Sequence, residues 1–210
     1  MVTPLRQYEI GQYYHIYNRG NRKQPIFYQQ HDRQRFLDHY LEYASIHRVT
    51  TLAYTLMTNH FHFLVVPDEV DALTKLFGKL STSHAKFINK KYELTGSLFE
   101  SRFQTKRIVD ESHLLHLSRY IHRNVIDLLG STRGVEPEKL LEKMALYRWS
   151  SLGEVLGLVP SVMIDREHLF SMTGVTNETA YRKFMLDDIE FYLNKRAQLT
   201  DSTPRVESVS

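Results

Sequence analysis

Apolar and polar positions alternate along the first 130 residues in a way that separates strands from amphipathic helices. Residues 13–17 (YYHIY) read as a short strand, followed by the turn signal Asn18-Arg19-Gly20-Asn21. Residues 31–47 take helical spacing through Phe36, Leu37, Tyr40, Leu41 and Ala44, with Asp32 placed near the start to suit the helix dipole. Two β-rich runs, 50–57 and 60–66, flank Thr58-Asn59 and predict a hairpin. A second amphipathic helix covers 69–92, its stripe running from Val70 through Leu73, Phe77 and Leu80 to Ile88. His84 falls on or beside that stripe and reads as a packing histidine. Residues 98–108 alternate as a strand, and a third helix, 112–129, carries Leu114, Leu117, Ile121, Val125 and Leu128 before Gly130 stops it. The order strand, helix, strand, strand, helix, strand, helix predicts an α+β sandwich, a sheet carrying helices.

Beyond Gly130 the character changes. A short helix at 137–145, the aromatic stretch Tyr147-Arg148-Trp149-Ser150-Ser151, a helical turn near 165–170 and a longer helix at 177–198 precede a loose tail at 202–210. The chain thus divides into a unit at 1–130 and a helical extension at 131–210.

Composition narrows the chemistry. There is no cysteine, which excludes disulfides and thiolate metal sites and makes a reducing cytoplasm the simplest setting. The first residues form no apolar signal region, and no run approaches the ~18 apolar residues of a membrane span. The net charge of +3 is modest, but its distribution is uneven. Between 79 and 107, Lys79, Lys86, Lys90, Lys91, Arg102, Lys106 and Arg107 outnumber Glu93 and Glu100, with Phe87, Tyr92, Phe99 and Phe103 interleaved. Positive charge beside stackable rings is the footprint of single-stranded nucleic acid binding; a solvated basic face over core aromatics is the alternative. Arg19, Arg22 and Lys23 beside the glycine turn form a second candidate contact with a phosphate backbone.

The stretch Met57-Thr58-Asn59-His60-Phe61-His62-Phe63 carries the candidate chemistry. On a strand His60 and His62 point to one face and Phe61 and Phe63 to the other. Two imidazoles so placed can share one divalent cation. On the third helix Tyr120 and Asn124 are spaced i, i+4 and share a face, one step off the apolar stripe. A bridge through Asn124 would add one carbonyl oxygen to the two imidazole nitrogens and leave positions open for a phosphate oxygen and water. Tyr120 supplies a phenolic nucleophile able to form a covalent phosphotyrosine.

MTNHFHFLVV followed by LSRYIHRNV resembles the HUH single-tyrosine transposases, and YHIYNRGNRKQPIF with GSLFESRFQTKRI resembles their IS200-like and REP-associated branch. The resemblance covers residues 12–129. It implies a ferredoxin-like or RRM-like antiparallel sheet and cutting and rejoining of single-stranded DNA through a 5′-phosphotyrosine on Tyr120. It also implies Mg²⁺ or Mn²⁺ on His60 and His62, with Asn124 where relatives place a third polar ligand. The implied substrate is hairpin-containing element ends or REP-like repeats. Residues expected along the DNA are Arg19, Arg22, Lys23, Lys86, Lys90, Arg102, Lys106 and Arg107. A domesticated binder that holds hairpin DNA or RNA without cutting shares most of these features, and both a homodimer and a monomer are compatible with the sequence.

Overall fold

The elements β1 (Tyr13–Arg19), α1 (Gln30–Ile46), β2 (Val49–Leu56), β3 (His60–Pro67), α2 (Ala72–Lys91) and β4 (Gln104–Ile108) succeed one another in a computed structural model that describes residues 7–201. The expected tail at 202–210 and the start of the lead-in lie outside the described residues. The strands form one sheet in the order β2-β3-β1-β4, and every neighbouring pair is antiparallel. A β-α-β-β-α-β chain with β1 and β3 central is the ferredoxin-like arrangement.

The sheet has two different faces because its side chains alternate. Phe61 and Phe63 of β3 point to the face covered by α1 and α2. There Tyr40 stacks on Phe63 at 4.3 Å, and Phe36 and Phe77 pack against the same strand. These rings are fully buried, and aromatic pairs of this kind dominate core energetics. Thr58-Asn59 is the predicted hairpin turn, closed by the Met57 amide donating to the His60 carbonyl at 2.8 Å. A bulge between Thr51 and Ala53 of β2 resets the register so that Tyr54 faces Phe63 and Thr55 faces His62.

The other face receives α3 (Glu111–Arg123), which lies against β2 and β3. Asp110 caps it, accepting from the Ser112 and His113 amides at 2.7 and 3.3 Å. The predicted single helix 112–129 is shorter than expected: it tightens to a 3₁₀ segment at Asn124–Leu128, and Leu128 turns outward. The predicted strand 98–108 is likewise reduced to β4. Its first half is an irregular run in which Leu98, Phe99 and Phe103 are buried and Phe99 bridges Gly20.

Residues after Gly130 form α4 (Pro137–Ala145), α5 (Leu152–Val155), α6 (Arg166–Thr173) and α7 (Glu178–Asp201). The stretch around Trp149 extends the edge of the sheet: Thr55 bridges Ser150, and the Leu56 amide donates to the Trp149 carbonyl at 2.8 Å. α7 braces α3. Its Tyr181 hydroxyl bonds to His122 Nδ1 at 2.9 Å and donates to Ser118 at 3.1 Å, and both Asp188 carboxylate oxygens accept from Arg123 Nη1, at 3.1 and 3.0 Å. Arg119 stacks over Phe184. Among the described residues no helix is long and apolar enough to cross a membrane.

His84 is a packing residue, as its place on the α2 stripe implies. It is fully buried between the Phe27 and Phe36 rings, and its Nε2–H donates to the Ile26 carbonyl at 2.7 Å. Burial pushes it down to about 4 from the ordinary imidazole value. Below about pH 6.5 the unfolded chain therefore takes up a proton that the folded chain refuses, and stability falls as pH falls toward 4. The loss is about 1.4 kcal/mol per pH unit for one such group. His84→Gln keeps a donor for Ile26 and removes this titration. Urea unfolding at pH 7, 6 and 5 should show a flatter acid limb for His84→Gln than for the unsubstituted chain.

Candidate active site

On the α3-facing side of the sheet the antiparallel register lines up three pairs of positions. Arg19 lies opposite His60, Tyr17 opposite His62, and His15 opposite Leu64. The His60 and His62 rings are 5.0 Å apart and nearly perpendicular. His60 Nδ1 is 2.7 Å from the Asn59 side-chain oxygen. An amide oxygen only accepts, so Nδ1 carries the ring proton and Nε2 keeps its lone pair. His62 Nδ1 is in turn 2.9 Å from His15 Nε2, and the two rings stack at 5.1 Å. Burial holds all three imidazoles in the neutral form that ligates metals. It lowers His60, with a partial offset from Asn124, and lowers His62 well below its ordinary value with help from the neighbouring His15 and His60. His15 falls to about 4, through burial first and then the charges of Lys106 and His113.

The end of α3 meets these rings. Asn124 donates its amide hydrogen to the Tyr120 carbonyl at 2.7 Å, which turns its side-chain oxygen toward His60 Nε2 at 3.5 Å. Two lone-pair atoms thus face each other with no proton between them. Ligands held about 2.1 Å from one metal lie roughly 3.0–3.5 Å from each other, so this spacing suits a shared divalent cation. Among the described residues no three His, Asp or Glu side chains form a metal cluster; the available set is two imidazoles and an amide oxygen. The Tyr120 ring stands edge-on to His62 at 5.4 Å and to His15 at 6.3 Å, while remaining 41% exposed. Ile121, one step round the helix, is fully buried.

The basic residues singled out in the sequence do not form one patch. Arg19 and Lys106 flank the histidines on the same face, Lys106 as the β4 neighbour of His15. Arg19 is held at 3.0 Å by Glu100. Arg22 and Lys23 sit exposed in the 3₁₀ turn Asn21–Lys23, both with positive φ, at the end of β1. Arg102 is exposed on the irregular run before β4. Arg107 has the opposite strand parity from Lys106 and is paired with Glu9 and Gln12. Lys86 and Lys90 are exposed on α2, across the sheet from Tyr120.

Two neighbours of the histidines escaped the sequence reading. Asn59 reads only as a turn residue, yet its side chain orients His60 and also donates to the Lys23 carbonyl at 3.0 Å. His15 reads as a lone strand histidine. Its parity with Tyr17 is visible in the sequence, but its contact with His62 depends on which strands pair.

The sequence profile described as Transposase IS200 like matches residues 9–124, more than half of the chain. No curated protein matches. Among solved structures, a REP-associated tyrosine transposase bound to a REP hairpin aligns with a TM-score of 0.53 at 16% identity, over 79% of this chain and 93% of that one. A protein assigned as a transposase from Deinococcus radiodurans R1 aligns with a TM-score of 0.40 at 17% identity, over 58% of this chain and 97% of that one. The structural likeness is one of fold, and the profile match supplies the family: the chain belongs to the IS200-like transposases.

Proposed function

We propose that this transposase cuts and rejoins single-stranded DNA through a covalent bond to Tyr120, with Mg²⁺ or Mn²⁺ held by His60, His62 and Asn124. The observation that carries this reading is the pair of facing lone pairs on His60 and Asn124, beside His62 and under the edge of the Tyr120 ring. The cation would polarise the scissile phosphate and offset charge on its oxygens. The Tyr120 oxygen attacks phosphorus, the bond to the 3′ oxygen breaks, the phenol loses its proton and the departing 3′ oxygen gains one. The 5′-phosphotyrosine keeps the phosphodiester energy, so a new 3′-OH can reverse the step. Partial exposure of Tyr120 leaves a strand access to it. The chemical groups all fall within 1–130, and the extension at 131–201 serves them by bracing α3. Arg19 and Lys106 line the path of the cut strand. Lys86 and Lys90, across the sheet, would meet DNA outside the cut strand, for which a hairpin is the natural form given the hairpin-bound neighbour.

Single strands carrying hairpins and labelled at the 3′ end, incubated with Mg²⁺ or Mn²⁺, should yield a denaturation-resistant adduct in which the protein is joined to the 5′ phosphate of the fragment downstream of the cut. Tyr120→Phe and chelator should each abolish it. Tight binding with no adduct on any hairpin strand would replace this reading with that of a non-cleaving binder.

In the Tyr120→Phe background, Lys106→Ala should weaken binding of unrelated single strands to a similar degree. It should also lower the slope of log affinity against log salt by ~0.7, the loss of one phosphate contact. Fluorescence anisotropy across a salt series measures this, and an unchanged slope would remove Lys106 from the strand path.

A further inference from the structure

Both candidate ligand imidazoles have their Nδ1 engaged by a neighbouring side chain, but the two neighbours differ in kind. Asn59 offers His60 an oxygen that can only accept, so the tautomer of His60 is fixed. His62 faces another imidazole, His15, across 2.9 Å. One proton lies between His62 Nδ1 and His15 Nε2, and either ring can own it. If His15 owns it, the remaining proton of neutral His62 sits on Nε2 and blocks a cation. If His62 owns it, Nε2 is bare and His15 accepts. His62 and His15 are only 6% and 8% exposed, so water is a poor substitute partner for a stranded Nδ1–H. The pairing is built into the sheet. His15 stands opposite Leu64, and His62, two positions away on the same face of β3, is its diagonal neighbour.

We infer that His15 is a positioning residue for the metal site, accepting the Nδ1–H of His62 so that His62 presents a bare Nε2 to the cation. This rests on the metal reading above. It gives the site a two-position device: with the cation bound, the proton must sit on His62, and His15 must be able to accept it. A partner of this kind that orients a ligand imidazole is worth about 10–100-fold in metal affinity.

The test is Mn²⁺ binding by calorimetry to the full chain and to two variants, each checked for an unchanged thermal unfolding midpoint. His15→Leu removes the acceptor. His15→Gln sets an amide oxygen close to where Nε2 stood. The inference expects about 10–100-fold weaker Mn²⁺ binding in His15→Leu and near-normal binding in His15→Gln. With Mg²⁺ bound, ring ¹⁵N–¹H correlation spectra should show the His62 proton on Nδ1. Wild-type affinity in His15→Leu overturns the inference, as does equal loss in both variants, which would make His15 itself a ligand. A His62 proton on Nε2 in the Mg²⁺-bound protein overturns it too. Absence of Mn²⁺ binding to the unsubstituted chain overturns the metal reading itself and this inference with it, a result distinguishable from the others because the variants play no part in it.

Discussion

Strand β3 has to satisfy two environments at once, and the alternation of its side chains is what allows it. Phe61 and Phe63 fill the layer beneath α1 and α2, while His60 and His62 stand on the opposite face. A one-residue slip against β1 would exchange those faces, sending rings toward α3 and imidazoles into an aromatic core. The buried aromatic layer therefore fixes more than stability. It sets which strand positions can meet Tyr120, and it brings Arg19, Tyr17 and His15 to the same rim through the β1–β3 register.

The second requirement is that α3 arrive at the right height and rotation. Its buried stripe lies on the sheet, but the outer side is held by α7 through Tyr181, Phe184 and Asp188. His122 is fully buried between Tyr181 and Ser151, so it ties α3 to both α7 and the edge of β2. The helix then tightens at Asn124, where the side chain that points to His60 also takes up the Tyr120 carbonyl. Bracing, capping and the approach to the histidines converge on a few residues. That leaves Tyr120 exposed but its backbone well defined.

Much of this arrangement is written in local sequence. The hairpin at Thr58-Asn59, the same-face pair His60 and His62, and the flank position of Tyr120 and Asn124 follow from periods of 2 and 3.6. The strand expected from Leu98 onward fails in its first half because the adjacent Leu98 and Phe99 are both buried, which alternation on a one-sided strand does not allow, and the run bends to seat them. The third helix ends early because Val125 and Ile126 turn inward in a tighter spiral while Leu128 faces out. The scattering of the basic residues over both sides of the sheet is invisible in sequence, since Lys90 and Lys106 are close along the chain but belong to different layers. The roles of Asn59 and His15 were hidden for a related reason: each depends on a partner atom whose place is set by tertiary pairing.

Gly20 touches none of the groups assigned to chemistry, yet it stands where any side chain would strike the Gln24 carbonyl oxygen, 2.0 Å from the position of a Cβ. Its amide also donates to the Asn59 carbonyl at 2.8 Å, and Asn59 holds both His60 and the Lys23 carbonyl. Displacing the turn at Gly20 thus pulls on the residue that aims His60. In a genetic screen for lost transposition, substitutions at Gly20 would sort with those of the histidines, and the list of sensitive positions would trace the scaffold of the site as much as its reacting atoms.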